Sequence, residues 1–259
     1  TSALINVMIA AARKAARALA RDFGEVEQLQ VSRKGPSDFV SAADLKAEKT
    51  LFEELTKARP GYGLLMEERG EVVGTDKTNR WIVDPLDGTS NFLHGIPHFA
   101  ISIGLEREGV LVAGVVYNVV RDELFWAEKG AGAYLNDRRL RVAARSDLRE
   151  CLIATGTPFH GKPGHEKFFD EAGRVLAATA GIRRFGAASL DLAYVAAGRF
   201  DGFWERGLAP WDLAAGAIIV REAGGYVKDI DGGDFLKTGA VIAANERLLP
   251  LLTKTVRGG

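Results

Sequence analysis

The sequence predicts a layered protein of the mixed α/β (α+β) class. Three features point there: a pair of amphipathic helices near the start, a meander of apolar strands after them, and strand–helix alternation from about residue 150. Leu4, Ile5, Met8, Ile9, Ala12, Ala16, Leu19 and Phe23 recur at helical spacing and predict a helix over 3–23. Leu45, Leu51, Phe52 and Leu55 predict a second over 42–59, which Pro60-Gly61 stops. Between them, residues 34–40 read as a turn entering an extended stretch. Residues 63–66 are a short apolar run, and Trp81-Ile82-Val83 reads as a buried strand ending at Asp84-Pro85. Residues 99–105 and 110–116, separated by Arg107-Glu108-Gly109, predict a hairpin, and 124–127 and 132–135 continue its sheet. Strands at 152–155, 182–185, 200–204, 226–227 and 241–243 then alternate with helices at 164–180, 189–197, 212–223 and from Asn245 onward. No repeat, linker or low-complexity stretch divides the chain. Residues 1–259 are therefore expected to form one unit, with approximate halves 1–145 and 146–259.

Composition excludes several function classes. Among 259 residues, 34 Lys and Arg balance 34 Asp and Glu, which argues against an electrostatically driven nucleic-acid binder. Hydrophobic residues at 47% and charged residues at 26% are ordinary for a globular protein. Cys151 is the only cysteine, so an intrachain disulfide and a thiolate zinc cluster are both excluded. Its neighbours Glu150, Leu152 and Ile153 offer no activating base, and a buried structural thiol is expected. Arg13, Lys14, Arg17 and Arg21 break any signal-peptide apolar core, and no 18-residue apolar run occurs. A cytoplasmic protein without a membrane span is expected. His94 and His98 stand four apart, yet Gly95 and Pro97 between them disfavour a helix, and a structural role is preferred for both.

The chemistry concentrates in residues 81–92, which read WIVDPLDGTSNF. An apolar strand ends there in a carboxylate. Asp84 and Asp87 lie three apart across a turn and can face one point. Gly88 lets a ligand approach the backbone, and Thr89, Ser90 and Asn91 offer hydroxyls and N–H donors at a helix start. Carboxylates beside anion-binding amides make sense together when a hard cation bridges protein and phosphate; oxygen-only ligands suit Mg²⁺ or Mn²⁺ rather than zinc. The plainer alternative is a capped turn in which both Asp residues bind local N–H groups. Three further acidic positions add to the pattern: Glu67-Glu68 after the apolar run, Asp212 at the head of an Ala- and Gly-rich helix, and Asp44 at the start of the second helix. Asp212 and Asp44 equally suit a helix cap or the helix dipole.

Taken together and in order, Asp38-x₅-Asp44, Glu67-Glu68, residues 81–92 and Trp211-Asp212 with Glu222-Ala223-Gly224-Gly225 resemble the inositol monophosphatase family. The resemblance covers residues 30–245. Gly181–Gly186 (GIRRFG) and Ser189–Tyr194 (SLDLAY) are most similar to its bacterial members. One departure is Met66, where the family usually has Gly before the Glu pair. The resemblance implies a layered α/β/α/β/α sandwich, the architecture shared with fructose-1,6-bisphosphatase, and a homodimer. It implies hydrolysis of a small phosphate monoester with two or three Mg²⁺ ions, Mn²⁺ being possible, and inhibition by Li⁺. By position, Glu67, Asp84, Asp87 and the Leu86 carbonyl would hold a first metal, and Asp84, Asp87 and Asp212 a second. Thr89, hydrogen-bonded to Asp44, would orient and help deprotonate the attacking water. Gly88, Thr89 and Ser90 would cradle the phosphate.

Inositol 1-phosphate is the first substrate implied. The alternatives, with unchanged chemistry, are fructose 1,6-bisphosphate, histidinol phosphate, or a nucleotide such as NADP⁺ or 3′-phosphoadenosine 5′-phosphate. Glu205, in Phe203-Trp204-Glu205-Arg206-Gly207, matches the family position that faces substrate hydroxyls; a plainer reading pairs it with Arg206 at a solvated strand end. Some bacterial members also act in RNA-polymerase antitermination complexes. That role would here rest on a protein contact, since zero net charge gives direct RNA binding no support.

Overall fold

The computed structural model describes residues 1–26, 31–35 and 38–259, with the side chains of 31–35 and 38–41 outside the description. Pro36 and Ser37 of the expected turn therefore lie outside the described residues. Helix α1 (Ala3–Phe23) begins at Ser2, whose hydroxyl accepts the Ile5 N–H, and α2 (Ala42–Ala58) stops before Pro60. Between them β1 (Val31–Gly35) and β2 (Asp38–Ser41) form a small antiparallel ribbon.

An eight-stranded sheet follows. It is built from β3 (Tyr62–Met66), β4 (Gly70–Val72), β5 (Asp76–Asp87), β6 (Ala100–Arg107), β7 (Val110–Asn118), β8 (Glu123–Glu128), β9 (Gly132–Leu135) and β10 (Arg138–Arg139). Its order is β10-β9-β8-β7-β6-β5-β3-β4, antiparallel except where β3 runs parallel to β5. The β6–β7 hairpin turns at Glu108 and Gly109, both with positive φ, the geometry that matches strand twist. Short α3 (Thr89–Leu93) leaves the end of β5.

The second half contributes β11 (Leu152–Thr155), α4 (His165–Ala178), β12 (Gly181–Arg183), α5 (Ala188–Ala196), β13 (Gly202–Glu205), α6 (Pro210–Glu222), β14 (Tyr226–Asp229), α7 (Phe235–Thr238), β15 (Val241–Ala244) and α8 (Leu248–Arg257). Its five strands pair in the order β12-β11-β13-β15-β14.

Burial explains the layering. Every residue of α5 is buried, as are residues 213–220 of α6, and a helix apolar all round must be covered on both sides. These two helices share one core with Ile82, Val116 and Phe125 of the first sheet and Phe203 and Ala243 of the second. The opposite face of the first sheet, through Trp81, Val83 and Ile103, packs on the amphipathic α1 and α2. Trp204 and Ile242 of the second sheet pack outward against α4 and α8. The result is an α/β/α/β/α sandwich. No described helix is long and apolar enough to cross a membrane.

Four departures from the expected boundaries have a local cause. Strand β5 does not end at Pro85 but runs on to Asp87, because the β5–β6 register shifts between Asp84 and Asp87, and a bulge absorbs a residue that cannot donate to the ladder. Helix α6 starts at Pro210, not Asp212, since the first helical position needs no N–H. Strand β12 stops at Arg183 and leaves Phe185 in an exposed loop. Asn245 is not in the last helix; its side chain accepts the N–H groups of Arg247 and Leu248 just before α8.

Candidate active site

Strand pairing brings the acidic residues together. In the parallel β3–β5 pair Met66 lies opposite Val83, so Glu67 and Asp84 leave the same sheet end side by side. Asp84 lies opposite Ser102 of β6, and the Ser102 hydroxyl donates to the Trp211 carbonyl at 3.2 Å. That contact seats the first turn of α6, and with it Asp212, against Asp84. One carboxylate oxygen each from Asp84, Asp87 and Asp212 lies within 4.8 Å of the others, and Asp44, Glu67 and Glu68 form a second such group. Asp44 is buried in the first turn of α2.

Each aspartate is also held by the backbone. Asp84 accepts the Leu86 N–H at 2.9 Å. Asp87 accepts the N–H and hydroxyl of Ser189 at 2.8 and 2.5 Å, from the first turn of α5. Asp212 sits at the third position of α6 and accepts the N–H of Ala209 at 2.7 Å. The capping alternative for Asp212 therefore holds, and it uses one oxygen of a carboxylate whose other face is in the cluster. Thr89 donates its hydroxyl to the Leu86 carbonyl at 2.8 Å, the partner observed in place of the expected Asp44. Gly88 adopts φ 90°, and an added Cβ would meet the His98 carbonyl at 3.0 Å. Asn91 serves structure: its amide donates to the carbonyls of His98 and Phe185, both at 2.8 Å.

Electrostatics record the crowding. Burial, then the charges of Glu67, Asp87, Asp212 and Asp44, hold Asp84 well above the usual carboxylate range. Burial lifts Asp87 to about 6 despite the lowering hydrogen bonds from Ser189, and burial with Asp87 lifts Asp212 to about 8. Asp84, Asp87 and Asp212 have no ion-pair partner among the described residues. Converging carboxylates with no ion-paired basic side chain among the described residues, all oxygen donors, fit a hard divalent cation.

Glu67, Asp87 and Asp212 line a cavity of about 650 Å³ that extends past Gly88–Asn91 to Glu205, Lys162 and Arg184, and Asp84 adjoins it through its neighbours Asp87 and Asp212. Thr155 pairs with Trp204 in the parallel β11–β13 ladder, so Gly156 comes beside Glu205. A Cβ on Gly156 would stand 1.9 Å from a Glu205 carboxylate oxygen, and the glycine makes room for that side chain. Burial, Asp212 and Asp87 push Glu205 up to about 8. Arg206 turns the other way, donating to Glu171 at 2.7 Å and Asp231 at 2.5 Å, so the pairing of Glu205 with Arg206 does not form.

Other readings are decided as well. His94 follows α3 and donates its Nδ1–H to the Ser90 carbonyl, while His98 packs edge-on against Phe185 and Tyr194. Cys151 is fully buried and its thiol is pushed up to about 11 by that burial. Glu222 stays away from the cavity; it accepts the N–H groups of Gly130 and Gly132 and closes the β8–β9 turn. Ser189, Gly156 and Lys162 carry no site role in the sequence reading, where Ser189 belongs only to the SLDLAY segment; all three come to the site through the tertiary fold.

Fold and cluster together define a class: a five-layered sandwich whose internal helix ends and strand ends gather carboxylates around a phosphate-sized opening. The chain belongs to the inositol monophosphatase family, whose model matches residues 1–258. It is 61% identical over 257 residues to an inositol-1-monophosphatase of Mesorhizobium japonicum, covering 99% of this chain and 97% of that one. It is 43% identical to the Nus factor SuhB of Escherichia coli K12, over 98% of this chain and 96% of that one. Among solved structures it superposes on the extragenic suppressor protein suhB of Bartonella henselae with a TM-score of 0.97 at 58% identity, each chain fully covered.

Proposed function

We propose that the protein is a Mg²⁺-dependent phosphate monoester hydrolase that releases phosphate from inositol 1-phosphate. The observation that carries this reading is the convergence of Asp84, Asp87 and Asp212, of which Asp87 and Asp212 line one cavity with the Gly88–Ser90 turn and Glu205. Glu67, Asp84, Asp87 and the Leu86 carbonyl would hold one cation, and Asp84, Asp87 and Asp212 another. Cations bound there would supply Lewis acidity toward water and neutralise charge on the phosphoryl group. Mn²⁺ suits the same oxygens.

The chain's own groups do the positioning. The Thr89 hydroxyl spends its proton on Leu86, so its oxygen presents a lone pair that can accept the hydrogen of the attacking water. Asp44, beside Glu67 and Glu68, supports that water from α2. The amides of Gly88, Thr89 and Ser90, at the start of a helical turn, would take the phosphate oxygens. Glu205, Asp212 and the space left by Gly156 suit the hydroxyls of a polyol leaving group. A homodimer, a cytoplasmic location and inhibition by Li⁺ belong to the same reading and are supported by family membership.

The test is kcat/KM on inositol 1-phosphate, fructose 1,6-bisphosphate, histidinol phosphate, NADP⁺ and 3′-phosphoadenosine 5′-phosphate at fixed Mg²⁺. Inositol 1-phosphate is expected to lead; a clear lead by any other ester reassigns the substrate. A second role, as a protein partner in transcription, is supported by the relative named Nus factor. A pull-down with Asp87→Asn protein separates that role from catalysis, because a docking function should survive the substitution.

A further inference from the structure

Ser189 is tied to the candidate site from outside the carboxylate cluster. It is fully buried at the second position of α5, and its hydroxyl and N–H both reach the same oxygen, Oδ2 of Asp87, at 2.5 and 2.8 Å. The two residues are 102 apart in the chain. Asp87 sits on the extended end of β5, past the bulge, where its backbone alone does not fix the carboxylate. Two donors on one oxygen fix it. Both donors need Oδ2 as their acceptor, and together they hold that oxygen against the first turn of α5.

We propose that Ser189 is a positioning residue for Asp87, fixing the direction in which its carboxylate faces a bound cation. Groups that orient a ligand from behind commonly change metal affinity by roughly 10–100-fold when removed. The hydroxyl adds something the amide cannot. The N–H belongs to every residue at this position, whereas the hydroxyl is specific to Ser189. The α5 helix, buried between the two sheets, thus carries the orientation of a ligand on the first sheet into the packing of the second.

The proposal rests on the metal-dependent reading of the site, and its test separates the two. Mn²⁺ binding is measured by calorimetry on the unaltered protein, Ser189→Ala and Ser189→Thr, with no substrate present. Ser189→Ala is expected to bind Mn²⁺ roughly 10-fold more weakly, and the Mg²⁺ concentration for half-maximal turnover should rise by the same factor. Ser189→Thr, which keeps the hydroxyl, should restore affinity. Equal Mn²⁺ affinity in Ser189→Ala and the unaltered protein overturns the role of Ser189 alone and leaves the hydroxyl as a packing contact. No Mn²⁺ binding by the unaltered protein overturns both this proposal and the metal reading.

Discussion

At Asp87 the two halves of the chain meet, since a strand end of the first sheet takes its hydrogen bonds from a helix of the inner layer. Asp87→Asn keeps the shape and removes the charge. It should lower kcat by at least about 100-fold while leaving the circular-dichroism melt intact; near-normal turnover would show that Asp87 is not a ligand. Glu205→Ala tests the polyol reading. A hydrogen bond to a charged group contributes about 1.5–3 kcal/mol, so kcat/KM for inositol 1-phosphate should drop by roughly 10–150-fold. Hydrolysis of p-nitrophenyl phosphate, which has no hydroxyls to read, should scarcely change. His98 gives a pH prediction. Burial, reinforced by Arg121, lowers its pKa from 6.5 to about 4, so the unfolded chain takes up its proton first. Its contribution to stability is complete above pH 6.5 and fades between pH 6.5 and 4. His98→Phe should remove that part of the acid destabilisation, on the order of 2 kcal/mol after allowing for the partly exposed ring. Parallel pH–melting curves for the two proteins would mean that His98 is charged in the fold.

Elements were legible where their signal was local. The stripes of α1 and α2, the Glu108-Gly109 turn and the apolar run 213–220 of α6 each announce themselves by period, turn residue or composition. The carboxylates of β5 were legible for the same reason, because Asp84 and Asp87 share one turn. Their company was not. Ser189 reaches Asp87 from 102 residues away, and Gly156 meets Glu205 through a parallel ladder, relations that no window of sequence contains. Pro85 misled in the opposite direction, since a bulge let the strand continue past it. Close packing of α6 on the sheet rests on Gly114, where a Cβ would stand 2.5 Å from Ile218 and 2.7 Å from the Ala215 carbonyl. Gly114→Ala should therefore cost about 1–3 kcal/mol of stability by overpacking, read as a lower midpoint in urea with an unchanged slope. An unaltered midpoint would show that the sheet and α6 can separate freely.

Across the whole molecule, the α/β/α/β/α arrangement brings the first turns of α3, α5 and α6 and the ends of β3, β5 and β13 to one cavity, with Asp44 of α2 beside Glu67. Carboxylates crowded there oppose folding at neutral pH, because Asp84, Asp87 and Asp212 are all harder to ionise than in the unfolded chain. A cation bound among them reverses that penalty. Mg²⁺ at 100 times its dissociation constant should stabilise the chelator-treated protein by about 2.7 kcal/mol per site, raising Tm by about 5–10 °C. The most direct measurement of the central claim is phosphate release from inositol 1-phosphate by chelator-treated protein as Mg²⁺ is titrated back. The account predicts no turnover without the cation, saturable recovery with it, and no recovery in Asp87→Asn. Turnover that survives complete chelation, or Mg²⁺-restored activity in Asp87→Asn equal to that of the unaltered protein, would contradict it.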